Sequence, residues 1–158
     1  MNSAMDDAEP VVGGNTPAPT WTREGPVVIV DDDPYDAILA EGVISELKPR
    51  YPMQILSSGE DLVAYLQGDG LYRDRSRYPL PGLVLLDLKM PKMDGFAVLE
   101  WLKAHPEHGA VPIVVLSGFV DMVEHVTRAY NQGAHSFLTK PVQLRDIQSI
   151  LSLLKISI

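Results

Sequence analysis

The chain has 158 residues, and 13 Lys and Arg against 21 Asp and Glu give a formal net charge of −8. That length suits one domain with a layered core, and the acidic balance lacks the electrostatic footprint of a protein that binds nucleic acid or an anionic membrane. The absence of cysteine removes a disulfide scaffold, a zinc-thiolate site and a thiol nucleophile, while the lack of an apolar run near ~18 residues or of a basic-then-apolar leader makes a cytoplasmic protein the expectation.

Residues 1–25 are rich in Pro, Gly, Thr, Ala and acids and have no hydrophobic period, so they read as a disordered N-terminal tail with Trp21 exposed. The folded domain is expected over 26–158. From Pro26 onward, short apolar runs alternate with amphipathic segments, the pattern of a parallel sheet covered by helices. After the first run, Val27-Val28-Ile29-Val30, Asp33 can cap a helix whose first position is Pro34; Leu39, Val43 and Leu47 are expected on its inward face, and Lys48-Pro49 stops it. A second run covers 53–56, and Ser58 with Asp61 resembles a capping box opening a helix that ends at Gly68. The charged stretch 68–81 is longer than a usual connection and reads as an insertion or a partner-facing loop. Runs at 83–86, 113–116 and 136–138, with helices over 96–103, 120–131 and 144–154, complete five βα units. The first, third and fourth runs are apolar throughout, as strands buried on both faces are. The fold class is therefore α/β, a flavodoxin-like doubly wound parallel sheet in the order 2-1-3-4-5.

In such a sheet, ligands bind beyond the carboxyl ends of the strands. The residues there are Asp31, Asp32 and Asp33 after the first strand, Asp87 after the third, Ser117 after the fourth and Lys140 after the fifth. The strand order makes the first and third strands neighbours, so Asp31, Asp32 and Asp87 come together. Three carboxylates repel unless a cation compensates them, and an all-oxygen set suits Mg2+ better than zinc. Taken singly, each residue has a plainer role: Asp33 as a helix cap, Ser117-Gly118 as a turn, Lys140 as a solvated lysine. Together, acid, acid, hydroxyl and ammonium at four strand ends fit phosphoryl transfer to a carboxylate. Asp87 would be the nucleophile, Asp31 and Asp32 would hold the metal, and Lys140 and Ser117 would bind the transferred group.

The motifs Val30-Asp31-Asp32-Asp33-Pro34, Asp87-Leu-Lys-Met-Pro-Lys-Met-Asp94-Gly95, Leu116-Ser117-Gly118 and Phe137-Leu-Thr-Lys140-Pro141 resemble those of the receiver domains of two-component response regulators, over 26–154. The resemblance implies that Asp87 is the phosphoacceptor, that Asp31, Asp32, Asp87 and the main-chain carbonyl of Lys89 hold Mg2+, and that the Lys140–Pro141 bond is cis. It further implies a switch in which Ser117 moves toward the phosphoryl group and Phe137 turns inward, changing the surface of the fourth helix, fifth strand and fifth helix. The implied partners are a sensor histidine kinase or histidine phosphotransfer protein and an output protein, with a homodimer through that same surface. The implied catalysis is limited to the protein's own phosphorylation and its slow dephosphorylation, with Lys89 and Phe119 screening the attacking water. The loop 68–81 and the phrase Leu-Leu-Asp-Leu-Lys-Met-Pro-Lys-Met-Asp-Gly from Leu85 to Gly95 are similar to those of regulators accompanying phytochrome-type kinases.

Two rivals stand beside this reading. Asp31-Asp32-Asp33 after an apolar strand also resembles the nucleophile motif of haloacid-dehalogenase-like phosphatases, with Asp31 as nucleophile, although Tyr35 departs from that motif and its later paired acids are missing. The other rival is an adaptor that keeps the receiver fold without the phosphorylation switch. No pair of His105, His108, His125 and His135 has a metal-ligand spacing, and all four are expected on the solvated surface.

Overall fold

The apolar runs become the interior of a five-stranded parallel sheet because side chains on both of its faces are covered. The computed structural model describes residues 23–118 and 122–158; the expectations for residues 1–22, including Trp21, for Phe119 and for the start of the fourth helix fall outside the described residues. In chain order the elements are β1 (Arg23–Glu24), β2 (Val27–Val30), α1 (Pro34–Ser45), β3 (Gln54–Leu56), α2 (Gly59–Gln67), β4 (Leu83–Asp87), α3 (Gly95–Ala104), β5 (Ile113–Ser117), α4 (Met122–Asn131), β6 (Ser136–Thr139), α5 (Leu144–Leu154) and β7 (Ile156–Ser157). Short 3-10 turns lie at Gly70–Arg73 and Pro106–His108. The main sheet runs β3-β2-β4-β5-β6, every pair parallel, so the expected order of the five runs holds.

Strand alternation divides the interior into two cores. Val28, Val30, Val84 and Leu86 face one way with Leu62, Leu66, Val98 and Leu99 of α2 and α3. Val27, Ile29, Leu83 and Leu85 face the other way with Ala37, Ala40, Ile44, Ile147 and Ile150 of α1 and α5. Each of these side chains is at most 6 % exposed, and successive residues of a strand serve opposite faces.

Two expectations are corrected here. On α1 the buried residues are Ala37, Ala40 and Ile44, whereas Leu39 is 43 % exposed. Val43 and Leu47 pack only at the margin of that core. The helix is apolar on several sides, so the spacing of its leucines does not choose the face; alanines bring the helix axis close to the sheet and decide it. Arg23 and Glu24, expected within the tail, instead form a strand. Arg23 and Glu24 pair in parallel with Ile156 and Ser157, and Arg23 Nε donates to Pro81 O at 3.1 Å. Gly25 passes so near Gly82 that a Cβ on it would lie 2.7 Å from the Gly82 amide nitrogen, which only a residue without a side chain allows.

The stretch 68–81 is held from within. The Arg75 guanidinium donates to the carbonyls of Tyr65 and Leu66, both at 2.8 Å, and to that of Tyr78 at 3.2 Å, satisfying acceptors at the end of α2. The Tyr65 hydroxyl donates to Pro79 O at 2.7 Å, and the rings of Tyr65, Tyr72 and Tyr78 cluster with centroids 5.1 to 6.1 Å apart. Burial pushes the Tyr65 phenol up to about 12.

Candidate functional site: an acidic cluster closed by Lys140

The carboxyl ends of β2, β4, β5 and β6 meet at one edge of the sheet. Asp31 follows β2 directly; its N–H donates to Leu56 O at 3.0 Å, which extends the ladder to β3 and fixes the side chain at the strand end. Asp87 is the last residue of β4, in register with Leu116, and the Leu88 amide donates to Leu116 O at 3.2 Å. Asp31 and Asp87 are 2 % and 5 % exposed, while Asp32 is exposed. One carboxylate oxygen from each of these three lies within 4.8 Å of the others.

Local folding explains this convergence. Asp33 caps α1, accepting from Tyr35 N at 2.9 Å, and its own N–H donates to Asp31 Oδ1 at 3.0 Å, so the cap also orients the buried carboxylate. Past β4, Asp94 caps α3 by accepting from Ala97 N at 2.9 Å. The turn closes at Gly95, where a Cβ would lie 2.6 Å from Asp87 O and 2.8 Å from Leu88 Cα; any larger residue would push Asp87 out of place. The Lys89 N–H donates to Asp87 Oδ1 at 3.3 Å.

Lys140 closes the cluster. It follows β6, its peptide bond to Pro141 is cis as expected, and its N–H donates to Ser117 O at 3.0 Å. Its ammonium lies 2.8 Å from Asp31 Oδ2, 3.0 Å from Asp36 Oδ2 and 3.4 Å from Asp87 Oδ1. Burial alone would lower the Lys140 pKa, but the hydrogen bonds to Asp31 and Asp36 and the charge of Asp87 outweigh it and hold the group above the ordinary lysine value. Burial also pushes the Asp87 carboxyl up, to about 6; Lys140 opposes that rise and Asp31 adds to it.

Ser117 ends β5, is 5 % exposed, and donates from Oγ to Gly118 O at 2.9 Å. Phe137 is half-buried at the rim of the first core, edge-on to Tyr130 with centroids 6.2 Å apart. Asp36 was missed in the sequence because an acid in a first helical turn reads as a partner of the helix dipole. His105 and His125 are half-buried and depart from the solvated-surface expectation, whereas His135 is exposed as expected. His105 stacks on Trp101 at 4.1 Å and His125 packs edge-on to Phe96 at 5.8 Å, and His135 Nδ1 accepts from Ile113 N at 3.0 Å.

The donor set tests its own cofactor. One ammonium faces four carboxylates, so negative charge is left over, and every side-chain ligand atom of the cluster is a hard oxygen. Asp31, Asp32 and Asp87 therefore fit a hard divalent cation; among the described residues, no histidine joins that group.

A family model described as the response regulator receiver domain matches residues 27–152. Response regulator Rcp1 of Synechocystis sp. is 32% identical over 121 residues, 77% of this chain and 80% of that protein. The Mn(2+)-bound structure of Rcp1 superposes with a TM-score of 0.65 at 29% identity, covering 84% of this chain and 89% of that one. The bacteriophytochrome response regulator AtBRR gives a TM-score of 0.70 at 28% identity over 84% and 92% of the two chains. The phosphorylated cyanobacterial phytochrome response regulator RcpA gives 0.65 at 27% identity over 85% and 89%. The chain belongs to the response regulator receiver family of two-component signalling. The haloacid-dehalogenase alternative gives way to this membership, and the geometry agrees: both Asp31 oxygens are engaged, one by the Asp33 amide and one by Lys140. Among the described residues no helix is long and apolar enough to cross a membrane.

Proposed function

We propose that this receiver accepts a phosphoryl group on Asp87 from a phosphohistidine of a sensor kinase or phosphotransfer protein, and that the modified protein regulates an output partner. One observation carries the reading: a buried strand-end carboxylate faces a fixed ammonium across an acidic cluster that lacks compensating charge. An Asp87 oxygen forms a bond to phosphorus as the phosphorus–nitrogen bond breaks. The electron pair returns to the donor ring, which leaves as neutral imidazole when its other nitrogen carries the proton. With its pKa near 6, Asp87 is ionised and nucleophilic at neutral pH.

Lys140 would take up charge on the phosphoryl oxygens, and the Ser117 hydroxyl would exchange its bond to Gly118 O for one of those oxygens. Asp31, Asp32, Asp87 and the Lys89 main-chain carbonyl would hold Mg2+, which when bound supplies neutralisation of the same oxygens. Phe137 beside Tyr130 supports a readout through α4, β6 and α5, where a second copy or an output protein would dock. The protein acts on itself and turns over no separate substrate, in keeping with a cytoplasmic signalling role. Incubation with acetyl phosphate and Mg2+ followed by intact-mass spectrometry should add one phosphoryl group to the wild type and none to Asp87→Asn; modification that survives in Asp87→Asn would refute the assignment. No modification of either protein would favour the adaptor reading.

A further inference from the structure

An ammonium has three N–H donors, and Lys140 has three carboxylates within reach. Two of them, Asp31 and Asp87, stand at strand ends. The third, Asp36, comes from the first turn of α1, where an acid three residues after the cap would ordinarily reach back to the cap residue's own N–H. Here that N–H is already given to Asp31 Oδ1 at 3.0 Å. Asp36 is thus released from capping and reaches Lys140 at 3.0 Å, tying α1 to the turn between β6 and α5.

The three partners differ in how easily they could lose the ammonium. The Asp31 side chain is 1% exposed, so leaving it unpaired would strand a buried charge. The Asp36 side chain is 34% exposed, and water can replace Lys140 around it. We infer that Asp36 is a positioning residue that draws the Lys140 ammonium toward α1 in the resting protein and is the partner that yields it when a phosphoryl group on Asp87 needs that charge. The inference rests on the phosphoacceptor role of Asp87. It adds that acceptance of the phosphoryl group unties α1 from the β6–α5 turn, a change on the side of the sheet away from α4.

The test uses the full chain with Mg2+ and beryllofluoride, an anion that stands in for a phosphoryl group on a carboxylate. Asp36→Asn, with Asp36→Ser as a second variant, should bind beryllofluoride about two- to fivefold tighter than the wild type, the scale of a partly exposed ion pair. The gain should vanish when Lys140→Ala is also present, because it acts through that ammonium and not through bulk charge. Hydrogen exchange supplies a second readout: amides of the first turn of α1 should exchange faster in the wild type once beryllofluoride binds, and in Asp36→Asn should already be fast and change little. Unchanged or weaker binding by both Asp36 variants, or a gain that persists without Lys140, would overturn the inference while leaving the acceptor role intact. Binding by the wild type that is unaltered in Asp87→Asn would overturn both.

Discussion

The Lys140 ammonium stands 3.4 Å from Asp87 Oδ1, farther than from either of its other two carboxylate partners. It neutralises Asp87 without saturating it, which leaves room for an incoming anion. Replacing Lys140 with Met should therefore have two effects of opposite sign. Mg2+ should bind several-fold tighter, because a competing positive charge is gone, and acyl-phosphate formation from acetyl phosphate should slow by roughly a hundredfold, the usual cost of losing one preorganised charge donor. Isothermal titration and single-turnover phosphorylation read the two separately, and an unchanged Mg2+ affinity would count against the charge argument.

Asp87 also sets a pH dependence. Its carboxyl titrates near 6 in the fold, against an ordinary value of 3.8, so between those values the native state holds a proton that the unfolded chain has lost. Stability contributed by this residue is full below about pH 3.8, declines as pH rises through the window and is gone above about 6. Asp87→Asn should thus raise the melting temperature at pH 7.5 in the absence of divalent cation, and the difference should shrink toward pH 4. Added Mg2+ should raise the wild-type melting temperature more than that of the variant. A variant less stable than wild type at pH 7.5 would contradict the burial argument.

His135 works in the opposite direction. Partial desolvation of the ring, in a residue that stays exposed overall, holds its imidazole below the ordinary 6.5, and its Nδ1 accepts from the Ile113 amide, a role that a protonated ring cannot fill. The unfolded chain therefore takes up the proton first as pH falls, and this residue's contribution is intact above about 6.5 and lost progressively below it. His135→Asn, which keeps an acceptor, should flatten the melting profile between pH 5 and 7. An unaltered slope would show that other groups set it.

Arg75 should prove structural. Arg75→Ala removes donors to the Tyr65, Leu66 and Tyr78 carbonyls; Tyr65 O keeps the Gly68 amide at 3.2 Å, and a destabilisation of about 1–3 kcal/mol is expected from the loss at the other two. Hydrogen exchange should quicken across 68–81 while phosphorylation by acetyl phosphate stays within about twofold. Loss of phosphorylation would mean that this stretch communicates with the acidic cluster.

Most of the sheet and the side-chain cluster at its edge were legible because they rest on local signals. Apolar runs mark β2, β4 and β5, the Asp33 and Ser58 caps mark α1 and α2, and the acids, hydroxyl and lysine follow their strands at fixed offsets. What escaped depends on distant partners. Arg23-Glu24 carries no strand pattern and becomes one only by pairing with Ile156-Ser157. Arg75 looks like one charge among several in a polar stretch until its carbonyl acceptors are known. Asp36 is an ordinary first-turn acid until β6 delivers Lys140 to it. The inward face of α1 was misread for a related reason, since its alanines say less in sequence than its leucines do.

The parallel pairing of β1 with β7 brings the first and last described stretches side by side below the sheet, at the end remote from Asp87. Anything joined at Arg23 or at Ile158, whether a fluorophore, an affinity handle or another protein, therefore starts from the far pole and leaves the acidic mouth open. The same adjacency makes the domain a candidate for circular permutation: a short bridge from Ile158 to Arg23, with new ends cut near Gly109, should preserve every contact of the cluster.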